Sequence, residues 1–268
     1  MIPFSPPAIT EEDIEAVVKV LRSGWITTGP VNARFGEALA EYCGTDMVIP
    51  LNSATAALEL ALRVAGVGPG DEVIVPAYTY TASASVVDHV GARIVLVDTE
   101  PGTPTPGIER IAAVVTSRTR AIITVDLGGV PYDSRLLGQL IAGRGALDRG
   151  FAAMLGRPVI IADAAHSLGA SLGGLRSGQI ADLTAFSFHA VKNLTTAEGG
   201  ALTWRPSLPV AHEELARRVR VLAMHGQTKD ALAKSLGSGW EYDIVALGYK
   251  ANMPDVLAAI GLSQLGRY

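Results

Sequence analysis

Cysteine is almost absent from these 268 residues, and Cys43 stands alone. A single thiol excludes an intramolecular disulfide and any multi-cysteine metal site, and it fits a reducing compartment. Neither sign of charge dominates: 22 basic and 26 acidic residues leave a net charge of −4, which gives no electrostatic reason to expect nucleic acid or a membrane surface as partner. No apolar run reaches the roughly 18 residues that a membrane-spanning helix needs. Residues 1–7 lack the basic start and apolar stretch of a signal peptide, so the cytoplasm is the expected location. The five histidines are scattered without the H-E-x-x-H spacing, and no metal site is expected. There is no phosphate-binding G-x-x-x-x-G-K-[ST] loop, and Gly66-Val-Gly-Pro-Gly70 precedes a strand, so it reads as a turn.

What is present is a globular composition, 49% hydrophobic and 18% charged, with length for a large core. Thr10-Glu11-Glu12-Asp13 looks like a capping box opening a helix that ends at Gly24. A second amphipathic helix is expected over 32–42. Short apolar strands then alternate with helices. Strands are expected over 46–50, 72–76, 93–97, 121–125 and 158–162, with helices over 52–66, 81–90, 108–115 and 133–142 between them. The glycine-rich stretch 143–156 reads as a loop or short helix. A helical region follows Trp204 to about residue 224, residues 225–242 read as a polar excursion, and a last helix covers 254–265 with Pro254 in its first turn. Alternation of this kind predicts an α/β fold, a mainly parallel central sheet covered by helices on both faces. Ligands of such sheets sit beyond the carboxyl ends of the strands.

Four strand ends carry the chemistry. The first is residues 182–200, where a strand over 183–188 runs out, Lys192 stands on the loop beyond it with Ser187 and His189, and Gly199-Gly200 turns the chain back into a second strand. Lysine forms an imine with an aldehyde, although most lysines are simply exposed. The second is Asn52-Ser53-Ala54-Thr55-Ala56, small and hydroxylated residues at a helix N-terminus, where free amides and the dipole favour a phosphate; Asn52 or Ser53 could equally be a plain N-cap. The third is Tyr78-Thr79-Tyr80, aromatics at a strand end that can stack on a flat heterocycle or lie on a rim. The fourth is Asp163-Ala-Ala-His166, where a carboxylate closes an apolar strand and needs a cationic or hydrogen-bonded partner, or else caps the next turn. A phosphate site, a stacking aromatic, a buried carboxylate and an imine-forming lysine together are the parts that pyridoxal 5′-phosphate requires.

At these residues, and at Ser23-Gly-Trp-Ile-Thr-Thr-Gly-Pro30, Gly68-Pro-Gly-Asp-Glu-Val73 and Gly248-Tyr-Lys-Ala-Asn-Met253, the sequence resembles the pyridoxal-phosphate-dependent sugar aminotransferases of the DegT/DnrJ/EryC1/StrS family. The resemblance runs from Phe4 to the last residue. It implies the aspartate-aminotransferase fold (fold type I of pyridoxal-phosphate enzymes) and a transfer of an amino group, usually from glutamate, to a keto group of a nucleotide-linked sugar. It implies Lys192 as the imine lysine, Asp163 as partner of the pyridine nitrogen, and His166 facing the cofactor's ring oxygen. Tyr80 falls where the family stacks an aromatic on the ring, and Ala54, Thr55 and Ser187 match phosphate contacts. Asn252 matches an asparagine that reaches the phosphate of a neighbouring subunit, so a homodimer with shared sites is implied.

The resemblance also sets expected boundaries: an N-terminal segment and helix over 1–24, the cofactor-binding large domain over 25–224, and over 225–268 a connecting excursion leading into a smaller C-terminal domain that is cut short. Two departures bear on function. A dehydratase branch carries histidine at the lysine position, so Lys192 favours transamination. Where the family has a histidine-containing block, this chain reads Asp126-Leu-Gly-Gly-Val-Pro-Tyr-Asp133, a change expected on the substrate side. The remaining readings are a non-catalytic, truncated cofactor-binding fragment and a pyridoxal-phosphate-dependent sugar dehydratase.

Overall fold

The computed structural model describes residues 5–228 and 241–268. A seven-stranded sheet runs through it in the order β1-β9-β8-β5-β4-β2-β3. The strands are β1 (Val48–Leu51), β2 (Glu72–Pro76), β3 (Arg93–Val97), β4 (Thr119–Val125), β5 (Val159–Asp163), β8 (Leu183–Ser187) and β9 (Gly200–Trp204). Strands β8, β5, β4, β2 and β3 are mutually parallel, and β9 runs antiparallel between β8 and β1. A two-stranded hairpin of β6 (Ser171–Leu172) and β7 (Leu175–Arg176) stands apart.

Period-two alternation divides the core between the two faces. Val73 and Val75 of β2, and Val159 and Ile161 of β5, point to one face, under α3 (Ala54–Ala65), α4 (Thr81–His89), α7 (Gly150–Leu155) and α8 (His212–Ala223). Ile74 and Ile160 point to the other, under α2 (Pro30–Cys43), α5 (Ile108–Ala113), α6 (Ser134–Leu140) and α9 (Asp255–Leu265). Helix α1 (Glu11–Ser23) leans on α9, and Asp13, almost fully buried, accepts from Thr10 N at 3.0 Å and pairs with Arg267 at 2.6 Å. Asp255 caps α2 from a distance: its carboxylate accepts the N–H groups of Gly29, Val31 and Asn32 at 2.8, 3.1 and 2.9 Å.

The expected strands and helices are found, most of them with shifted ends. Strand β4 begins two residues early, because Arg120 is buried against Asp71 and Asp148 and so belongs to the sheet. Strand β1 begins at Val48 rather than 46, and β5 includes Asp163. Helix α3 begins at Ala54, since Ser53 is its N-cap and accepts Ala56 N at 3.1 Å. Helix α5 stops at Ala113, and α8 starts only at His212. Pro254 is the N-cap of α9 and not a residue of its first turn, for its ψ of 157° is extended. The excursion expected over 225–242 lies in part, at 229–240, outside the described residues; around it, Met224 bridges Lys250 and Gln227 bridges Ile244. Among the described residues no helix is long and apolar enough to cross a membrane.

Candidate active site

The apolar run Val159-Ile-Ile-Ala162 draws Asp163 into the ladder, where it is paired with Val125 of β4 and Ala185 of β8. Its side chain therefore starts inside the protein, and the residue is only 6% exposed. A carboxylate so placed needs donors. Ser83, in the first turn of α4, donates to Oδ2 at 2.6 Å, and its hydroxyl also meets that of Thr79 at 2.7 Å. Ala165 N donates to Oδ1 at 3.3 Å. Burial pushes the Asp163 pKa up, and Ser83, Ala165, His166 and Lys192 pull it back in that order.

Lys192 and His166 thus lie within electrostatic reach of Asp163, although they come from different strand ends. Lys192 stands on the loop beyond β8, its N–H bonded to His189 O at 2.9 Å. The side chain is half-buried, and desolvation holds its ammonium below the ordinary lysine value while Asp163 opposes the shift. A lysine in this condition more readily supplies a neutral, nucleophilic amine. His166 follows β5; Gly128 N donates to its Nδ1 at 3.3 Å. Burial, and then the Lys192 charge, lower its pKa, with Asp163 acting the other way.

A second group of expected residues meets at the start of α3. The Ala54 and Thr55 N–H groups head the helix, where no earlier turn takes them. Gly200 of β9 presses directly on them: a Cβ there would lie 2.3 Å from Ser53 C and 2.4 Å from Ala54 N. Ser187 pairs with Gly200 across the β8–β9 ladder, and its hydroxyl accepts from His189 N at 3.4 Å. Tyr80 is the N-cap residue of α4, three positions before Ser83, and the residue is 81% exposed.

Asn252 lies at the edge of the sheet beyond β1. It bridges Leu51 at the end of β1 and borders a groove of about 540 Å³ between α2, β1 and α8. Among the described residues no hydrogen bond or ion pair joins it to Asp163, His166, Ser187 or Lys192. Thr28 donates its hydroxyl to Met253 O at 2.7 Å and so must accept from Asn252 Nδ2, at 2.6 Å. That leaves Asn252 Oδ1 buried without a partner among the described residues.

Sequence reasoning missed Ser83, and although it named the stretches holding Thr79, Asp126 and Gly128, it did not foresee the contacts that Thr79 makes with Ser83, Gly128 with His166, or Asp126 with Ser167 and Ser177. Asp126, just past β4, is buried; its Oδ2 accepts from Ser167 at 2.6 Å and from Ser177 at 3.3 Å, and its Oδ1 from Tyr132 N at 2.9 Å. The expectation that this departure acts on the substrate side fails for the Asp126 carboxylate, which faces buried hydroxyls. The exposed part of the block is Gly128 and Val130. Among the described residues no group of three histidines, cysteines or carboxylates is placed to hold a metal ion.

A lysine amine, a buried carboxylate and an imidazole share one corner at the carboxyl edge of the parallel strands; Ser187, two residues beyond the Ala185 that pairs with Asp163, leads across Gly200 to the N-terminus of α3. This donor set fits a small anionic heterocycle carrying an aldehyde. The family model for the "DegT/DnrJ/EryC1/StrS aminotransferase family" matches residues 7–268. This chain belongs to that family. It is 38% identical to the spore coat polysaccharide biosynthesis protein SpsC of Bacillus subtilis, covering 99% of this chain and 64% of SpsC. Identity to the UDP-4-amino-4-deoxy-L-arabinose–oxoglutarate aminotransferase of Shewanella sediminis is also 38%, with the same coverage. Among solved structures, the putative sugar aminotransferase Spr1654 from Streptococcus pneumoniae, in its PMP form, superposes with a TM-score of 0.95 at 50% identity, covering 100% of this chain and 68% of that one. The same protein has also been solved in a PLP form, which superposes with a TM-score of 0.93. The chain thus spans about 64% of the length of the curated relatives it matches.

Proposed function

We propose that this chain is the cofactor-binding body of a sugar aminotransferase that uses pyridoxal 5′-phosphate. The observation that carries the proposal is the placement of Asp163 at the end of β5, paired with Ala185 of β8, whose following loop carries Lys192, with His166 three residues beyond Asp163. Bound there, the cofactor supplies an aldehyde to carry the amino group and a ring able to take up electrons. Lys192 Nζ would be the amine that holds the cofactor's aldehyde and would act as the base for proton movement at the reacting carbon. Asp163, oriented by Ser83, would serve the ring nitrogen as its acidic partner. His166 would meet the ring oxygen, and Tyr80 would cover the ring. The Ala54 and Thr55 amides and the Ser187 hydroxyl would hold the phosphate.

The amino donor is glutamate, and the acceptor is a keto group on a nucleotide-linked sugar. Residues 25–224 form the cofactor-binding domain, and the working unit is a cytosolic homodimer in which Asn252 reaches the phosphate held by the second copy. Lys192 favours transamination over dehydration. To test this, the protein carrying pyridoxal phosphate is mixed with glutamate alone. Conversion of the cofactor to its amine form with release of 2-oxoglutarate supports the reading, and subsequent amination of a nucleotide keto-sugar completes it. A loaded protein inert to glutamate, aspartate and alanine alike would leave a cofactor-binding fragment instead.

A further inference from the structure

The histidine beside the reactive lysine is held by a part of the chain that the reaction itself does not use. His166 Nδ1 accepts the Gly128 N–H at 3.3 Å, and a ring nitrogen that accepts carries no hydrogen. The neutral ring then bears its hydrogen on Nε2. Gly128 can point its N–H this way because it and Gly129 sit consecutively in the left-handed region, at φ 64° and 85°, inside a 3-10 turn at Leu127–Gly129. A Cβ on Gly129 would stand 3.1 Å from His166 O, so the turn lies against the His166 backbone as well.

This turn is fastened by Asp126. One carboxylate oxygen takes Tyr132 N at 2.9 Å, closing the loop on itself, and the other takes the Ser167 hydroxyl at 2.6 Å. Ser167 is the neighbour of His166, and it also meets Ser177 at 2.7 Å. Asp126, two residues before Gly128, and Ser167, next to His166, are thus tied through a buried cluster. Gly129 N on Asp126 O at 3.1 Å closes the turn, and Asp126 N on Asp163 O at 3.0 Å fixes it to the sheet.

We propose that the Asp126–Ser167 tie is a positioning device that fixes His166 as the Nε2–H tautomer, so that the ring meets the site as a hydrogen-bond donor. The donor role toward a cofactor oxygen rests on the function proposed above, whereas the tautomer and the tie do not. Asp126 and Ser167 are positioning residues and act through His166.

The test is nitrogen NMR on the full chain purified without cofactor, with histidine and glycine labelled with nitrogen-15 and the His166 signals identified from the His166→Gln variant. At a pH where His166 is neutral, the expected spectrum shows a non-protonated Nδ1, a protonated Nε2, and a coupling across the hydrogen bond between Gly128 N and His166 Nδ1. Asp126→Asn, or the gentler Ser167→Ala should the first not fold, is expected to abolish that coupling and let the Nδ1–H tautomer appear. A hydrogen on Nδ1 in the unmodified protein overturns the proposal at once. So does either folded variant that keeps the coupling and a single tautomer. Because no cofactor is present, a failure of the proposed function would leave this result standing.

Discussion

Ser83 donates its hydroxyl to Asp163 at 2.6 Å, across 80 positions of sequence. The bond binds the first turn of α4 to the end of β5 and holds one carboxylate oxygen in place, while the other accepts only a longer bond from Ala165. Replacing Ser83 by Ala is expected to lower stability by about 1–3 kcal/mol, since a buried charged acceptor loses a donor. Loss of a fixed orientation at Asp163 is expected to weaken pyridoxal phosphate binding by roughly tenfold, the equivalent of about 1.4 kcal/mol. Urea unfolding and cofactor titration measure the two effects separately. Unchanged cofactor affinity would remove Ser83 from the site.

Gly200 is where β9 touches the head of α3. In Gly200→Ala the added methyl meets Ser53 and Ala54 backbone atoms that belong to a helix and cannot turn aside. The expected cost is about 1–3 kcal/mol of overpacking, together with a loss of phosphate affinity, because the displaced amides are those proposed to hold it. Unfolding midpoints and the dissociation constant for pyridoxal phosphate check this. A variant as stable as the parent would show that β9 can move aside.

Lys192 and His166 should be visible in each other's titration. Burial and the Lys192 ammonium hold the His166 pKa below its ordinary value. In Lys192→Ala the second cause is removed, so the His166 pKa is expected to rise. Imidazole NMR across pH 4.5 to 8 follows it directly. No movement would separate the two residues electrostatically.

Acid stability should depend on Asp13. Its partner Arg267 and the Thr10 N–H hold the carboxyl at a pKa of about 2 against burial, which pulls the other way. The folded-state pKa is below the unfolded one, near 3.9, so the stabilisation is present above pH 4 and is lost as pH falls toward 2. Arg267 is partly exposed, and with solvent screening the contribution is about 1–2 kcal/mol. In Arg267→Ala the difference in unfolding free energy between pH 5 and pH 2.5 is expected to shrink by that amount. An equal difference in both proteins would show that the α1–α9 pair adds nothing.

Much of this arrangement is legible in the sequence, and the limits have physical causes. The strands Glu72–Pro76 and Arg93–Val97 are readable to the residue, because each is a short apolar run bounded by turn residues. Thr119 and Arg120 are not, because an arginine reads as surface until its partners Asp71 and Asp148 are seen around it. Asp163 and Lys192 are legible as reactive types at strand ends. Ser83 is not, for a serine in a helix's first turn gives no sign of a carboxylate 80 positions away. The Asp126 cluster is hidden for the same reason. The hairpin of β6 and β7 is too short for periodicity, although Gly173-Gly174 between two leucines is a hairpin turn signal.

The most direct measurement of the central claim is reduction with borohydride of the protein loaded with pyridoxal phosphate, followed by peptide mass spectrometry. One phosphopyridoxyl group per chain, on the peptide containing Lys192 and absent from the Lys192→Ala variant, is the predicted result. A label spread over surface lysines, or retained in full by the variant, would contradict the account.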